Sequence, residues 1–185
     1  MKELIMSREE IEEACVRIGT SLNERLKNEE RLPVFICVMK GAMNFMSDLI
    51  KHIESDILVD YIKISSYEGD KTSGHITLKQ DISINLDSRS VVIVEDIIDT
   101  GLSMKYLIDH IKEKYSPKQI IVATLLDKAC ARKISVQIDC VGKTLHENKF
   151  VVGYGLDYKE LHRNNPYIYV PTKEEVEQMD IEVAK

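Results

Sequence analysis

Apolar residues along the chain recur at two spacings, one suited to buried strands and one to amphipathic helices. Ile11, Ala14, Cys15, Ile18, Leu22 and Leu26 fall at helical intervals behind Ser7-Arg8-Glu9-Glu10, whose spacing is that of a capping box. This pattern predicts an amphipathic helix ending near Lys27–Glu30. Pro33 precedes a short apolar run, Val34–Met39, which reads as a buried strand. Lys40-Gly41 interrupts it, and Phe45, Leu49, Ile50 and Ile53 restart a helical stripe. Ile57–Ile64 is rich enough in β-branched and aromatic residues for another strand. Val91–Val94 is a strongly apolar strand, followed by acids and a helical stripe through Met104, Leu107, Ile108 and Ile111. Beyond Pro117, Ile120–Leu126 reads as a further buried strand. Shorter ones are expected at Ile138–Val141, Phe150–Val152 and Tyr167–Val170, before an acidic helical tail.

Apolar strands alternating with amphipathic helices predict an α/β fold with a mainly parallel central sheet flanked by helices. At 185 residues the chain fits a single domain, large enough to bury a core without disulfides or a structural metal. Residues 66–75 carry turn formers and no periodicity, and read as a mobile loop.

Charge narrows the functional classes. The formal net charge is −6 and the basic residues are scattered, whereas a nucleic-acid partner favours a concentrated basic face. The four cysteines, Cys15, Cys37, Cys130 and Cys140, show no CxxC pairing and read as small buried hydrophobes of a reducing compartment. Met1–Glu10 lacks the apolar core of a signal peptide, and no apolar run reaches membrane-spanning length. The expectation is a cytoplasmic protein with neither membrane nor nucleic acid as partner.

The segment Val91-Val92-Ile93-Val94-Glu95-Asp96-Ile97-Ile98-Asp99-Thr100-Gly101-Leu102-Ser103 concentrates the chemistry. In open α/β sheets ligands bind beyond the carboxyl ends of strands, which is where these acids lie. The Thr100–Ser103 turn offers backbone N–H groups at a helix start with two hydroxyls beside them, a receptor for a phosphate. Gly101 permits close backbone approach. Glu95 and Asp96 can accept hydrogen bonds from a vicinal diol or hold hydrated magnesium. Phosphate on one side and diol acceptors on the other describe a ribose 5-phosphate, with Asp99 between them positioned to exchange a proton.

This segment resembles the phosphoribosyl-pyrophosphate signature of type I phosphoribosyltransferases. Val38-Met39-Lys40-Gly41, Ser65-Ser66-Tyr67, Thr124-Leu125-Leu126-Asp127-Lys128 and the block from Lys149 to Tyr158 resemble the bacterial hypoxanthine-guanine branch, in its order and spacing. The resemblance implies that fold, with a core over about 34–145, a hood from 1–30 and about 146–185, and transfer of 5-phosphoribosyl to hypoxanthine or guanine. It assigns Asp99 to the proton at purine N7, and Glu95 and Asp96 to the ribose hydroxyls and magnesium. Thr100, Gly101, Leu102 and Ser103 take the 5-phosphate. Lys40 and Gly41 present N–H groups to pyrophosphate, often through a cis peptide, and Arg163 pairs with it. Asp157 binds Mg2+, partly through water. Lys128 bonds the base O6, Phe150 stacks on the ring, the Val151 backbone reads its edge, and Ser66-Tyr67 leads a lid. A homodimer or homotetramer is implied too.

Departures are Leu102, where many relatives carry a basic or polar residue, and His146-Glu147-Asn148 near the expected purine pocket. Competing readings are the same chemistry on xanthine or a pyrimidine, a regulator sensing phosphoribosyl pyrophosphate, and a phosphoacceptor signalling domain. A regulator would tolerate loss of Asp99 and show a basic face. The signalling domain leaves the Lys149–Tyr158 block without a role.

Overall fold

The computed structural model describes residues 2–66 and 76–184. Tyr67 and the expected lid through His75 lie outside the described residues. The elements are β1 (Glu3–Met6), α1 (Arg8–Leu26), β2 (Val34–Met39), α2 (Met43–Leu49), β3 (Leu58–Ser66) and β4 (Ile76–Gln80). They continue with β5 (Ser90–Ile98), α3 (Leu102–Lys114), β6 (Gln119–Asp127), β7 (Cys140–Thr144), β8 (Ile168–Val170) and α4 (Lys173–Val183).

Six strands form one sheet in the order β4-β3-β2-β5-β6-β7, parallel except for the β3–β4 pair. The mainly parallel sheet expected from the apolar runs is therefore present. Because strand side chains alternate, each central strand feeds two cores. Phe35, Cys37, Val92 and Val94 pack on one face with α1 and α2; Val34, Ile36, Val91 and Ile93 pack on the other with Met104, Leu107 and Ile111 of α3. Both α1 and α4 start in capping boxes, built on Ser7 with Glu10 and on Thr172 with Glu175. The buried face of α1 includes the whole predicted stripe.

Several boundaries differ from the pattern reading. β5 runs on through Glu95 and Asp96 to Ile98, so the acid pair lies within the strand rather than after it. Phe150–Val152 is not a strand: Val152 makes a single bridge to Tyr169, and Gly153 and Gly155 with positive φ turn the chain away. The helical stripe after Gly41 is cut to seven residues, and Ile50–His52 tighten into a 3-10 turn. Cys130 is exposed, unlike the other three cysteines. Burial pushes the Cys15 and Cys37 thiols up to about 12, which leaves them protonated and unreactive.

β1 pairs antiparallel with β8 in a separate two-stranded sheet. The Val152–Tyr169 bridge ties the turns after Val152 to this sheet, and Gly155 brings those turns against the Gly41 carbonyl after β2. α1 packs in one core cluster with Met6 of β1, Ile168 of β8 and the sheet residues Phe35 and Val92. No helix among the described residues is long and apolar enough to cross a membrane.

Candidate active site

Parallel pairing fixes the centre of the site. β5 and β6 run in a register that sets Glu95 against Thr124 and Ile98 against Asp127. The residues that follow, Asp99 and Lys128, are therefore delivered side by side. The Lys128 amide donates to the Ile98 carbonyl at 3.0 Å, and Lys128 Nζ lies 3.5 Å from Asp99 Oδ2. Lys128 is buried, its side chain 9 % exposed, whereas the Asp99 side chain is 48 % exposed. A buried ammonium facing an open carboxylate presents a donor and an acceptor to the same small space.

Next to them the chain turns into α3 through Gly101, at φ 85°. Only glycine is comfortable there, and a side chain would also strike the Ile134 carbonyl. Among the described residues no side chain caps this helix, in contrast to α1 and α4. The Leu102 N–H leans on Thr100 Oγ1 at 3.4 Å, and the N–H groups that follow it face the Thr100 and Ser103 hydroxyls as a receptor for an anion. Glu95, Asp99, Thr100, Gly101, Ser103 and Met104, with Ile64, Ile97 and Ile98, line one cavity of about 180 Å³. Leu102 is the first residue of α3, its N–H 3.4 Å from Thr100 Oγ1, so its contribution to that turn is its backbone.

A second cluster adjoins the first through Asp96. The peptide between Met39 and Lys40 is cis. Gly41 lies directly against the Asp96 carboxylate, and its carbonyl lies against Gly155, so neither glycine has room for a Cβ. This contact binds the turn after β2 to the loop carrying Asp157 and Arg163. Arg163 holds Asp157 Oδ1 at 2.8 Å, Glu160 Oε2 at 3.1 Å and the Gly155 carbonyl at 2.6 Å. Lys40 Nζ is 2.9 Å from the same Glu160 oxygen.

Glu95 and Asp96 are both buried, and their carboxyls compete for charge. Burial and the neighbouring Asp96 push Glu95 well above the usual carboxylate range, and burial raises Asp96 as well. A pair so destabilised in its doubly charged form fits a nearby cation, which would relieve both. The expected three-carboxylate set is not assembled, however. Asp157 spends Oδ1 on Arg163 and Oδ2 on the Glu160 N–H at 2.7 Å. No group of three His, Cys, Asp or Glu suited to a metal occurs among the described residues. Magnesium commonly takes one or two carboxylates and completes its shell with substrate oxygens and water, and the Glu95–Asp96 pair suits that mode.

The purine-side expectations divide. Val151 is buried, and Phe150 is 51 % exposed and makes a T-shaped contact with Tyr158, ring centroids 5.8 Å apart. That leaves aromatic surface uncovered, as a stacking platform requires. Their segment departs beside Lys128, because the Leu145 N–H donates to the Asp127 carbonyl at 2.8 Å. Ser66 ends β3, and its backbone alone is described.

Two residues escaped the sequence reading. Arg132 donates to the Asp99 carbonyl at 2.9 Å and to the Ile98 carbonyl at 3.2 Å, and it pairs with Asp127. Glu160 joins Lys40 to Arg163. Neither has a local motif; the one available signal was excess charge beside Lys128 and Arg163.

Comparisons agree with this geometry. The model of the phosphoribosyl transferase domain family matches residues 7–159. The chain is 42% identical over 177 residues to a hypoxanthine-guanine phosphoribosyltransferase of Streptococcus pneumoniae, covering 95% of this chain and 96% of the relative. It is 40% identical over 172 residues to that of Bacillus subtilis, covering 92% and 93%. A crystal structure of a hypoxanthine phosphoribosyltransferase from Staphylococcus aureus is similar, with a TM-score of 0.85, 34% identity and coverage of 93% and 92%. The hypoxanthine phosphoribosyl transferase of Trypanosoma cruzi is similar with a TM-score of 0.89 at 27% identity, covering 97% and 95%. Fold, site and relatives converge: the chain is a phosphoribosyltransferase and belongs to the hypoxanthine-guanine phosphoribosyltransferase family.

Proposed function

We propose that this enzyme transfers the 5-phosphoribosyl group of phosphoribosyl pyrophosphate to N9 of hypoxanthine or guanine, releasing pyrophosphate and the nucleoside monophosphate. The observation that carries this reading is the Asp99–Lys128 pair, 3.5 Å apart beside the uncapped start of α3. In a 6-oxopurine, O6 and N7 are neighbouring atoms on one edge of the ring. Lys128 donates to O6 while Asp99 accepts the N7 proton, so one pair reads the base and activates it. N9 attacks C1′, the bond from C1′ to the pyrophosphate oxygen breaks, and the N7 proton passes to Asp99.

The Thr100–Ser103 turn receives the 5-phosphate, and Glu95 with Asp96 engages the ribose hydroxyls. Lys40, the Gly41 turn and Arg163 meet the pyrophosphate, whose charge grows as it departs. Phe150 and the Val151 backbone hold the base. A magnesium ion held by Glu95, Asp96 and substrate oxygens would supply charge neutralisation for the leaving group, with Asp157 acting on it through water. We further propose a cytoplasmic homodimer or homotetramer. Val59 and Tyr61, two positions apart on β3, are exposed apolar residues of a kind that a second copy covers.

Steady-state assays with hypoxanthine, guanine, xanthine and adenine in parallel, with magnesium and then with excess chelator, test the reading. Turnover of the 6-oxopurines alone, abolished by chelator and restored by magnesium, is the expected outcome. Equal turnover of adenine, or full activity in chelator, would contradict it.

A further inference from the structure

Glu160 Oε2 accepts from Arg163, the cation assigned to pyrophosphate, and from the ammonium of Lys40, whose turn presents N–H groups to the same anion, lying 2.9 Å from Lys40 Nζ, 3.1 Å from Arg163 Nη2 and 3.2 Å from Arg163 Nε. A single carboxylate oxygen thus stands where two cations from separate segments converge, the arrangement a phosphate oxygen would adopt. The backbone presents it deliberately. Lys159 and Glu160 have φ of 48° and 73°, sparsely populated values for side-chain-bearing residues, and the Glu160 N–H is anchored on Asp157 at 2.7 Å. Yet the side chain is 61 % exposed, so it can swing into water without disturbing the core.

We propose that Glu160 is an internal stand-in for pyrophosphate: it occupies Lys40 and Arg163 in the substrate-free enzyme, yields them to phosphoribosyl pyrophosphate, and reclaims them as product pyrophosphate leaves. This rests on the reading of the Lys40–Gly41 turn and Arg163 as the pyrophosphate site. The stand-in gives Lys40 an anion and Arg163 a second one beside Asp157, and it sets a cost on binding that falls equally on substrate and product pyrophosphate. Affinity is given up, and release becomes faster.

Competitive inhibition by inorganic pyrophosphate, against phosphoribosyl pyrophosphate and with magnesium present, provides the test. Glu160→Gln keeps the size of the side chain and removes its charge; it should lower the inhibition constant roughly twofold to fivefold, the scale of exposed ion pairs. The KM for phosphoribosyl pyrophosphate should fall in the same direction. Glu160→Ala should do likewise, and thermal melts should show both variants folded. Lys40→Met should raise the inhibition constant and shrink the effect of Glu160→Gln in the double variant. Unchanged or weaker pyrophosphate binding in both Glu160 variants overturns the proposal and makes Glu160 a support for the cations. If Lys40→Met and Arg163→Lys leave pyrophosphate binding unaltered, the underlying assignment of the site fails instead.

Discussion

Lys128 Nζ stands 3.5 Å from Asp99 Oδ2, a sunken cation opposite a half-open carboxylate. No feature of either residue alone brings them together; the in-register pairing of Ile98 with Asp127 does. Lys128→Met keeps the apolar stem and deletes the donor. It should lower kcat/KM for hypoxanthine by roughly tenfold to a hundredfold, the weight of a hydrogen bond to a charged group, chiefly through the KM of the base. Unaltered base KM would remove Lys128 from recognition.

Arg132 ties this pair to its backbone. Its guanidinium bonds the carbonyls of Ile98 and Asp99 and pairs with Asp127, the residue immediately before Lys128. Arg132→Ala should cost roughly 2 kcal/mol of stability, because a part-buried carboxylate and two carbonyls lose their donor. Arg132→Lys keeps the charge but loses the fork that reaches two carbonyls at once. At a temperature where Arg132→Lys is fully folded, its kcat should still fall, as measured by steady-state turnover. A lowered melting temperature with unchanged kcat would make Arg132 a purely structural residue.

Asp81 supplies a pH signature remote from the site. Burial alone would raise its carboxyl, but hydrogen bonds from Lys114 and His110 outweigh that and hold it at about 2, below its usual 3.8. A depressed folded-state value gives stability that is fully present above the unfolded pKa and is lost as pH falls through about 2. With its side chain 31 % exposed, screening reduces the gain to about 1 kcal/mol. Asp81→Asn should therefore melt below wild type at pH 7, and the gap should narrow as pH approaches 2. A gap independent of pH would assign the loss to packing.

The central strands were legible because Val34–Met39, Val91–Val94 and Ile120–Leu126 are apolar runs buried on both faces, a pattern with few alternatives. β1 and β4 were missed because they are short edge strands whose pairing depends on distant partners, whereas the strand expected at Tyr167–Val170 forms as β8. Glu95 and Asp96 disguised the end of β5: acids usually mark a strand terminus, and here they are buried within one. The usual roles of a lysine and a phenylalanine are exchanged at Lys128 and Phe150, the first buried and the second exposed. Local pattern could not reveal that, whereas the resemblance pointed to both. Arg132 and Glu160 act through contacts made only after the sheet and its covering layer assemble, so no spacing in the chain announced them.

The proton transfer assigned to Asp99 carries the rest, and one comparison reaches it most directly: kcat and base KM of wild type and Asp99→Asn with hypoxanthine at saturating phosphoribosyl pyrophosphate and magnesium. The amide keeps shape and hydrogen-bonding reach but cannot take the N7 proton, so kcat should drop on the order of a hundredfold or more while KM moves only a few-fold. Turnover that survives the substitution, or a loss confined to KM, would contradict the account.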